Sequence, residues 1–288
     1  MWVGQIMKWY SYVFLSLAAF LLTMGIAYAV GSRLVFIAVL LAFLISWIAY
    51  IPAYLFQTEK FYDLTGSIKY LLLTWFIYTL SYEFYGFNIG NLILATLITM
   101  WTLRLGSFLF MRIHKDGEDK RFRTIKTSAS QFFLTWTLSG MWVSLCSICA
   151  LTAIANPFGV TLNLITYIGI GLFFLGFAIE VIADQQKTAF RSISENKNRF
   201  ITSGLWAKSR HPNYLGEIIL WFAIAVISFS SLSGTQYIAL ISPIFTYLLL
   251  VYVSGVRMLE DRANTKWGNE PEYKEYKSKT PVLFFKIF

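Results

Sequence analysis

The residues best suited to chemistry lie between positions 199 and 217, where the chain reads R-F-I-T-S-G-L-W-A-K-S-R-H-P-N-Y-L-G-E before an apolar run. Pro212 favours the first turn of a helix, with His211 or Ser209 before it as the cap. The free N–H groups and positive dipole of such a helix end attract anions, and Arg210 and the neighbouring lysine add full charges. This pattern predicts a phosphate-binding site at the start of a helix.

Asn213 and Glu217 are one helical turn apart in the same segment, so both side chains are expected to face the helix bundle or its wall. Helix capping alone is the simpler explanation for His211 and Asn213. It does not explain Glu217, because an acid that enters an apolar membrane helix is costly and usually marks a functional site.

A second set of charged residues ends the preceding apolar run. Glu180, Asp184, Lys187 and Arg191 are spaced at i, i+4, i+7 and i+11, which places them on one helical face. An exposed helix end with ion pairs worth roughly 0.2–0.5 kcal/mol accounts for the two basic residues. It accounts poorly for Glu180, since an ionisable group within an apolar span costs about 2.5–3.5 kcal/mol. The acidic residues of this face lie deeper in the apolar span, and the basic residues lie nearer its end. This order suits a ligand whose hydroxyl groups point into the bundle and whose phosphates point out of it.

Arg104 lies in the middle of another apolar run, where an arginine needs a partner. We expect that partner to be Asp184 or a ligand phosphate. Nearer the N-terminus, Gln57 and Glu59 begin a polar stretch that either faces a cavity or hydrates the end of a helix, and composition slightly favours hydration.

The tail from position 257 combines charge with aromatic rings. Arg257 and Asp261 are compatible with a simple network of ion pairs on a helix surface. Trp267 and Tyr276 then stand among lysines, and the apolar segment Val282–Phe285 follows them. A tail of this composition indicates a lid that folds back onto the polar face of the protein and shields a ligand.

The elements that carry these residues are long and apolar. Of 288 residues, 57% are hydrophobic and only 14% are charged, whereas a soluble domain has about 25% charged residues. A membrane helix needs roughly 20 mostly apolar residues, and eight runs approach that length, with seven spans as the alternative. The sequence therefore predicts an all-α polytopic transmembrane bundle. The predicted spans are 9–30, 34–56, 68–86, 89–111, 131–154, 162–183, 215–232 and 237–256.

Basic residues give the bundle an orientation. Lysine and arginine concentrate in residues 112–130, in residues 184–214 and in the tail, whereas the turns at 155–161 and 233–236 contain none. By the positive-inside rule, the basic segments face the cytoplasm. The net charge of +9 is thus explained by membrane topology, with membrane lipid as a partner. Nucleic acid is not expected as a partner, because no basic stretch forms a soluble binding module.

Common motifs of nucleotide sites and hydrolases are missing from the sequence: G-x-G-x-x-G after a strand, a Walker loop, G-x-S-x-G and H-E-x-x-H. A bound nucleotide is therefore expected to be held in a non-Rossmann manner. His114 and His211 are isolated, so no metal site is expected. Cys146 and Cys149 form a C-x-x-C in apolar surroundings that do not stabilise a thiolate, which argues against redox chemistry.

The order of these features resembles the membrane steroid 5-alpha-reductase superfamily, in particular its bacterial branch known as DUF1295. The features are Asp184 with Arg191, then Arg199, then G-L-W-x-K-S-R-H-P-N-Y-L-G-E, and finally Arg257 with a Y-K-E-Y tail. Isoprenylcysteine carboxyl methyltransferases and phospholipid methyltransferases, which use S-adenosylmethionine, share a similar R-H-P-x-Y-x-G segment. The mid-span arginine and the charged series ahead of that segment distinguish the reductases.

The resemblance implies NADPH as the cofactor. The contacts that the resemblance implies are Asp184, Arg191, Arg199, Asn213 and Arg257, with Arg104 beside them. The remaining residues that we expect at the cofactor, from the motif and the tail, are Arg210, His211, Tyr214, Glu217, Asp261 and Tyr276. A Gln-Glu pair that polarises the carbonyl group of an enone corresponds to Gln57 and Glu59, here separated by Thr58. A tyrosine near the mid-span arginine is replaced by Trp101. Both departures favour a substrate other than a steroid.

The resemblance therefore implies an NADPH-dependent reductase that transfers hydride to the C=C bond of a lipophilic α,β-unsaturated ketone, either steroid-like or another lipid enone. A membrane methyltransferase that uses S-adenosylmethionine is the alternative, and a transporter or scaffold is a third hypothesis. We expect one membrane domain over 1–288, with substrate-side helices in 1–111 and cofactor-binding elements in 112–288. The expected location is the bacterial inner membrane, with the cofactor site facing the cytoplasm.

Overall fold

The computed structural model describes residues 8–285, apart from the side chain of Asp116. Within that range the regular structure is entirely helical and contains no strand. The helices are α1 (Trp9–Ala29), α2 (Arg33–Leu55), α3 (Tyr62–Tyr85), α4 (Ile89–Asp116), α5 (Phe122–Ile125), α6 (Ala129–Ile154), α7 (Leu164–Ser192), α8 (Pro212–Phe229), α9 (Ile241–Leu248), α10 (Val256–Trp267) and α11 (Pro271–Lys279).

Seven helical stretches in the described chain are long and apolar enough to cross a membrane. They are α1, α2, α4, α6, α7, α8 and the continuous stretch Gly234–Trp267. The remaining long helix, α3, has 24 residues but is less apolar, because it contains Lys69, Glu83 and several tyrosines. The predicted all-α polytopic bundle is confirmed, and the protein is an integral multi-pass membrane protein.

Some helix ends follow the local sequence as predicted, and others lie several residues from the predicted positions. α8 begins at Pro212 as predicted, and α3 and α4 are separated by a short turn in which Gly86 has a φ of +84°. However, α3 begins at Tyr62, six residues before the predicted span. The hydroxyl groups of Thr65 and Ser67 donate to the carbonyl groups of Phe61 and Asp63, so these polar residues are accommodated inside the helix.

The chain divides into two compact units. The first unit comprises Met1–Leu162 with Ser228–Ile241, and the second unit comprises Asn163–Ile227 with Ser242–Phe288. In the first unit, α6 packs against α1, α2 and α3, and 83% of its most apolar window is buried. Its polar side chains therefore face protein. The interpretation of the chain as one membrane domain stays a prediction.

In the second unit, α7 and α8 approach each other through glycines. A Cβ atom on Gly176 would lie 2.6 Å from the carbonyl oxygen of Gly216 and 2.7 Å from the backbone nitrogen of Leu220. A Cβ atom on Gly169 would lie 3.1 Å from the carbonyl oxygen of Ala223. Small residues at such positions allow two backbones to come close, which is how membrane helices commonly associate.

A π-helical turn, Leu249–Val253, precedes α10 in the second unit. Gly255 follows it, and a Cβ atom there would lie only 2.2 Å from the carbonyl oxygen of Leu250. The backbone at Gly255 has φ −117° and ψ −104°, so the chain breaks direction here. Gly255 therefore allows the close backbone contact from which α10 starts.

The glycine contact between α7 and α8 predicts opposite effects for two alanine substitutions in one helix. Gly176→Ala should lower the free energy of unfolding by about 1–3 kcal/mol, because the added methyl group overlaps the backbone of α8. Gly171→Ala is the matched control, since no atom lies within 4 Å of its added Cβ and alanine favours a helix by about 1 kcal/mol over glycine. Thermal unfolding in detergent measures both, and equal midpoints for the two variants would contradict the contact.

Candidate functional site

The loop before α8 is held against α7 in the second unit. Its turn, Gly204–Ala207, starts with Gly204 at φ +62°. The backbone N–H of Leu205 donates to Oε1 of Gln186 at 2.9 Å, and the indole N–H of Trp206 donates to the carbonyl oxygen of Ala183 at 3.0 Å. These two bonds fix the residues that follow the turn, 208–213, relative to α7.

Glu260 of α10 holds two residues at the start of α8. Its Oε2 accepts from Nη1 of Arg210 at 2.7 Å, and its Oε1 lies 2.8 Å from Nε2 of His211. All three side chains are at most 17% exposed. Burial lowers the pKa of His211, and it outweighs the opposing effect of Glu260. The neutral ring therefore carries its proton on Nε2 and donates it to the carboxylate.

Three residues of the motif, all within four positions of one another, each keep one buried polar atom without a hydrogen-bond partner in the described structure. These atoms are Nε of Arg210, Nδ1 of His211 and Oδ1 of Asn213. An unsatisfied buried polar atom costs about 1–3 kcal/mol. One donor and two acceptors are thus available together beside the N-terminus of α8, which indicates that a ligand completes the site.

The end of the chain reinforces the same loop. We call residues 280–285 the tail strap. The carbonyl oxygen of Pro281 accepts from the backbone N–H of Arg210 at 3.0 Å, and that of Leu283 accepts from the Ser209 hydroxyl at 2.7 Å. Leu283 is 6% exposed and packs with Leu215.

α11 contributes a further bond, because the Tyr276 hydroxyl donates to the carbonyl oxygen of Trp206 at 2.6 Å. Phe200 packs against the rings of Tyr276, Tyr273 and Trp267. The predicted return of the tail to the motif is therefore confirmed within the second unit. Its action as a lid over a ligand stays a prediction.

The other predicted cofactor residues of the second unit differ in exposure. Asp184 is buried, whereas Arg191, Arg199, Arg257 and Asp261 are exposed. Tyr214 and Glu217 are partly buried on α8, directly after the motif. Arg199 and Tyr276 line one cleft of about 790 Å³. The structure thus joins Arg210 and His211 to α10 and Arg210 to the tail, and Arg199 and Tyr276 line the same cleft.

The predicted residues of the first unit have separate surroundings. Gln57 is exposed, has a φ of +49°, and donates to the carbonyl oxygen of Tyr54. Glu59 is 4% exposed, accepts from the backbone N–H of Asp119 at 3.0 Å and pairs with Lys126 at 2.7 Å. The structure therefore does not show Gln57 and Glu59 as two hydrogen-bond donors that are both free for one carbonyl oxygen. Their catalytic role stays a prediction.

Arg104 is partly buried on α4, with its guanidinium 5.3 Å from the centre of the Phe108 ring. It belongs to the first unit and Asp184 to the second. The expected pairing of these two residues stays a prediction.

Glu260 is the site residue that the sequence analysis missed. It lies 50 positions after Arg210, and its local pattern indicates nothing beyond an exposed helix with mixed charges. Only the packing of α10 beside the start of α8 shows its role. A buried ion pair between residues so far apart in sequence leaves no pattern in the spacing of neighbouring residues.

Together, the apolar helices and the buried polar motif define a multi-pass α-helical membrane protein with partnerless buried polar atoms at the N-terminus of one helix. Residues 49–280 match the model of a protein family described as "Protein of unknown function (DUF1295)". The chain belongs to this family. It is also similar to the Uncharacterized protein C594.04c of Schizosaccharomyces pombe, with 24% identity over 249 residues, which cover 72% of this chain and 68% of the relative. A search of the solved structures gives no match.

Burial of His211 predicts a loss of stability in mild acid. Because its pKa in the folded protein lies below the ordinary value of 6.5, the unfolded chain takes up the proton first as the pH falls. The free energy of unfolding should therefore decrease as the pH falls below about 6.5. Thermal unfolding in detergent between pH 7.5 and 5.5 measures the effect. His211→Gln should show a smaller decrease, and an equal decrease in both proteins would assign the loss to other groups.

The tail strap predicts that its buried leucine side chain, Leu283, contributes more to stability than its exposed neighbour Phe284. Leu283→Ala should free the strap and expose the end of the chain to protease, because removal of a buried leucine side chain costs about 2–5 kcal/mol. Phe284→Ala is the control, since Phe284 is 63% exposed. Limited proteolysis followed by mass spectrometry compares the two. Equal cleavage rates would show that Leu283 does not anchor the strap.

Proposed function

We propose that the protein is an NADPH-dependent membrane reductase of the steroid 5-alpha-reductase superfamily. The proposed reaction transfers hydride to the C=C bond of a lipophilic α,β-unsaturated ketone. One observation carries the proposal: Arg210, His211 and Asn213 of the motif keep buried polar atoms without partners in the described structure, at the N-terminus of α8. The resemblance of the same motif to the reductases supplies the class of ligand.

The residues present fit a dinucleotide. The N-terminus of α8 and the Arg210 guanidinium suit a phosphate group, since both present N–H donors and positive charge. Nδ1 of His211 and Oδ1 of Asn213 are acceptors, which suits the hydroxyl groups of a ribose or the N–H groups of a carboxamide. The partnerless atoms thus match a ligand that combines an anion with hydrogen-bond donors.

Electrostatics favour a dinucleotide over S-adenosylmethionine. Lys208 precedes the motif, and Nζ of Lys187 lies 4.4 Å from the centre of the Trp206 ring. With Arg210, these residues make the loop basic, and the Glu260 carboxylate is already paired with Arg210 and His211. The methyl donor carries no phosphate, so it makes little use of this charge.

NADPH, when bound, supplies the hydride, and the protein orients the two reactants and excludes water. Glu260 holds Arg210 and His211 in place, and the tail strap covers the loop that carries them. The resemblance assigns the polarisation of the substrate carbonyl to Gln57 and Glu59. The distribution of basic residues supports a cofactor site on the cytoplasmic side of the membrane. The resemblance to a bacterial branch supports the bacterial inner membrane as the location.

A methyltransferase that uses S-adenosylmethionine is the second candidate. The segment R-H-P-N-Y-L-G-E favours it, because membrane methyltransferases share a similar pattern. Both candidates place their cofactor at the start of α8, so the choice of cofactor decides between them.

Purified protein in detergent should be stabilised against heat by NADPH, and more weakly or not at all by NADH and S-adenosylmethionine. A ligand at 100 times its dissociation constant adds about 2.7 kcal/mol to the free energy of unfolding. Asn213→Ala should weaken NADPH binding roughly tenfold through loss of one buried hydrogen bond.

Two controls accompany this measurement. Asn264→Ala removes an amide of the same type whose oxygen accepts from Lys277 on the surface, and it should leave the affinity for NADPH unchanged. Glu59→Gln, in the first unit, should spare binding and slow turnover. Stabilisation by S-adenosylmethionine alone would replace the reductase with the methyltransferase, and no response to any of the three ligands would reject both.

A further inference from the structure

Lys69 is a fully buried lysine in the first unit, two helical turns from the start of α3. Its Nζ donates to the hydroxyl oxygens of Ser46 on α2 at 2.7 Å and Ser139 on α6 at 2.8 Å. The structure shows no carboxylate within 4.0 Å of this nitrogen among the residues it describes. The amino group therefore has neutral partners only.

Such an arrangement is costly if it serves packing alone. An unpaired ammonium group loses several kcal/mol on transfer from water to a protein interior, and an apolar side chain of similar volume fills the same space more favourably. The ammonium group has three N–H donors, two of which are used by the serines. The third N–H has no acceptor in the described structure.

The groups around Lys69 form a small polar cluster between α2, α3 and α6, which we call the Lys69 cluster: Ser46, Tyr62, Lys69, Trp136 and Ser139. Ser139 also lies within hydrogen-bonding reach of the Tyr62 hydroxyl, which donates to the carbonyl oxygen of Thr135 at 3.0 Å. Trp136 is one turn before Ser139, and its ring centre is 5.1 Å from that of Tyr62.

The unused groups of the Lys69 cluster are all donors. The indole N–H of Trp136 is buried and has no acceptor in the part of the chain that the structure describes, and the same holds for the third N–H of Lys69 when its amine is protonated. Neither group can be satisfied by another donor, so each requires an acceptor such as a carbonyl oxygen or an oxyanion. The buried apolar residues of the unit favour a lipophilic ligand as the source of that acceptor.

We propose that the Lys69 cluster binds the carbonyl oxygen of a lipophilic ketone or aldehyde, with Lys69 as the hydrogen-bond and proton donor. The proton-transfer role rests on the reductase proposed above. Hydride addition to the β-carbon of an enone moves the C=C electron pair so that an enolate forms. An N–H bond of Lys69 breaks as an O–H bond forms on the enolate oxygen, which gives an enol and a neutral amine.

Two further proton movements complete the balance. Conversion of the enol to the saturated ketone moves one proton from oxygen to the α-carbon, and the amine of Lys69 regains a proton from water. In total the enone gains one hydride and one proton. Lys69 is better placed for this role than Gln57 or Glu59, since Gln57 is exposed and Glu59 is already paired with Lys126.

Reductive alkylation of the full-length protein tests access of a lipophilic carbonyl compound to Lys69. Tetradecanal condenses with a neutral amine to an imine and water, and sodium cyanoborohydride reduces the imine to a stable secondary amine that mass spectrometry locates. Glyoxylate, a charged aldehyde, is the water-soluble counterpart. We expect tetradecanal but not glyoxylate to modify Lys69, whereas both should modify the exposed Lys274. A lipophilic enone should protect Lys69 alone.

The labelling result tests the carbonyl-binding site at Lys69 independently of whether the protein is a reductase. Modification of Lys274 without Lys69, or modification of Lys69 by glyoxylate as readily as by tetradecanal, would overturn the proposal of a lipophilic carbonyl site. Labelling in a protein that fails to bind NADPH would keep the site and reject the reductase.

Substitutions then test the proton-donor role in a protein that binds NADPH and reduces an enone. Lys69→Met should lower kcat roughly 10²- to 10³-fold, as loss of one oxyanion donor does, and leave NADPH affinity unchanged. Lys69→Arg keeps the donors and should restore part of the rate. Full turnover in Lys69→Met would refute the role. Ser139→Ala, which removes one of the bonds to Lys69, should lower thermal stability more than kcat, which separates packing from chemistry.

Discussion

The ion pair between Glu260 and Arg210, shared with His211, is the interaction on which the candidate site depends. Burying these groups is expensive unless each one meets a partner, and Glu260 supplies both its oxygens for that purpose. The pair joins α10 to the start of α8 through two residues that are fifty positions apart in sequence. Loss of Glu260 would leave a buried guanidinium and a buried imidazole together, so the start of α8 is defined by a residue outside it.

Two further restraints act on the same short segment. α7 fixes the loop through Gln186 and Ala183, and the tail strap fixes it through Pro281 and Leu283. The motif backbone is thus held from three directions, while three of its side-chain atoms stay without partners. A backbone fixed in this way, with polar side-chain atoms left unsatisfied, is expected of a preorganised binding site. The conformational entropy of ordering the binding groups is then lost on folding and not on binding.

Composition and local pattern predicted the membrane bundle, the start of α8 at Pro212 and the return of the tail. These features depend on residues close in sequence or on total apolarity, which a single sequence displays directly. Glu260 and Lys69 were not predicted, because their partners lie on other helices. Lys69 also lies at the edge of the predicted third span, 68–86. Because α3 begins six residues earlier, at Tyr62, Lys69 lies two turns inside the helix.

The π turn before α10 has a geometric consequence for the whole site. A π turn holds one more residue than the α-helical turn it replaces, and each residue of an α-helix advances the direction of its side chain by about 100°. Deleting one residue from Leu249–Val253 would therefore leave an ordinary α-helical turn, and the chain on either side could keep its register. A deletion between Gly255 and Glu260, within α10, has no extra residue to absorb it and would turn the Glu260 carboxylate by about 100° around the helix axis. The apolar stretch is thus more tolerant of a change in length than the charged helix that follows it.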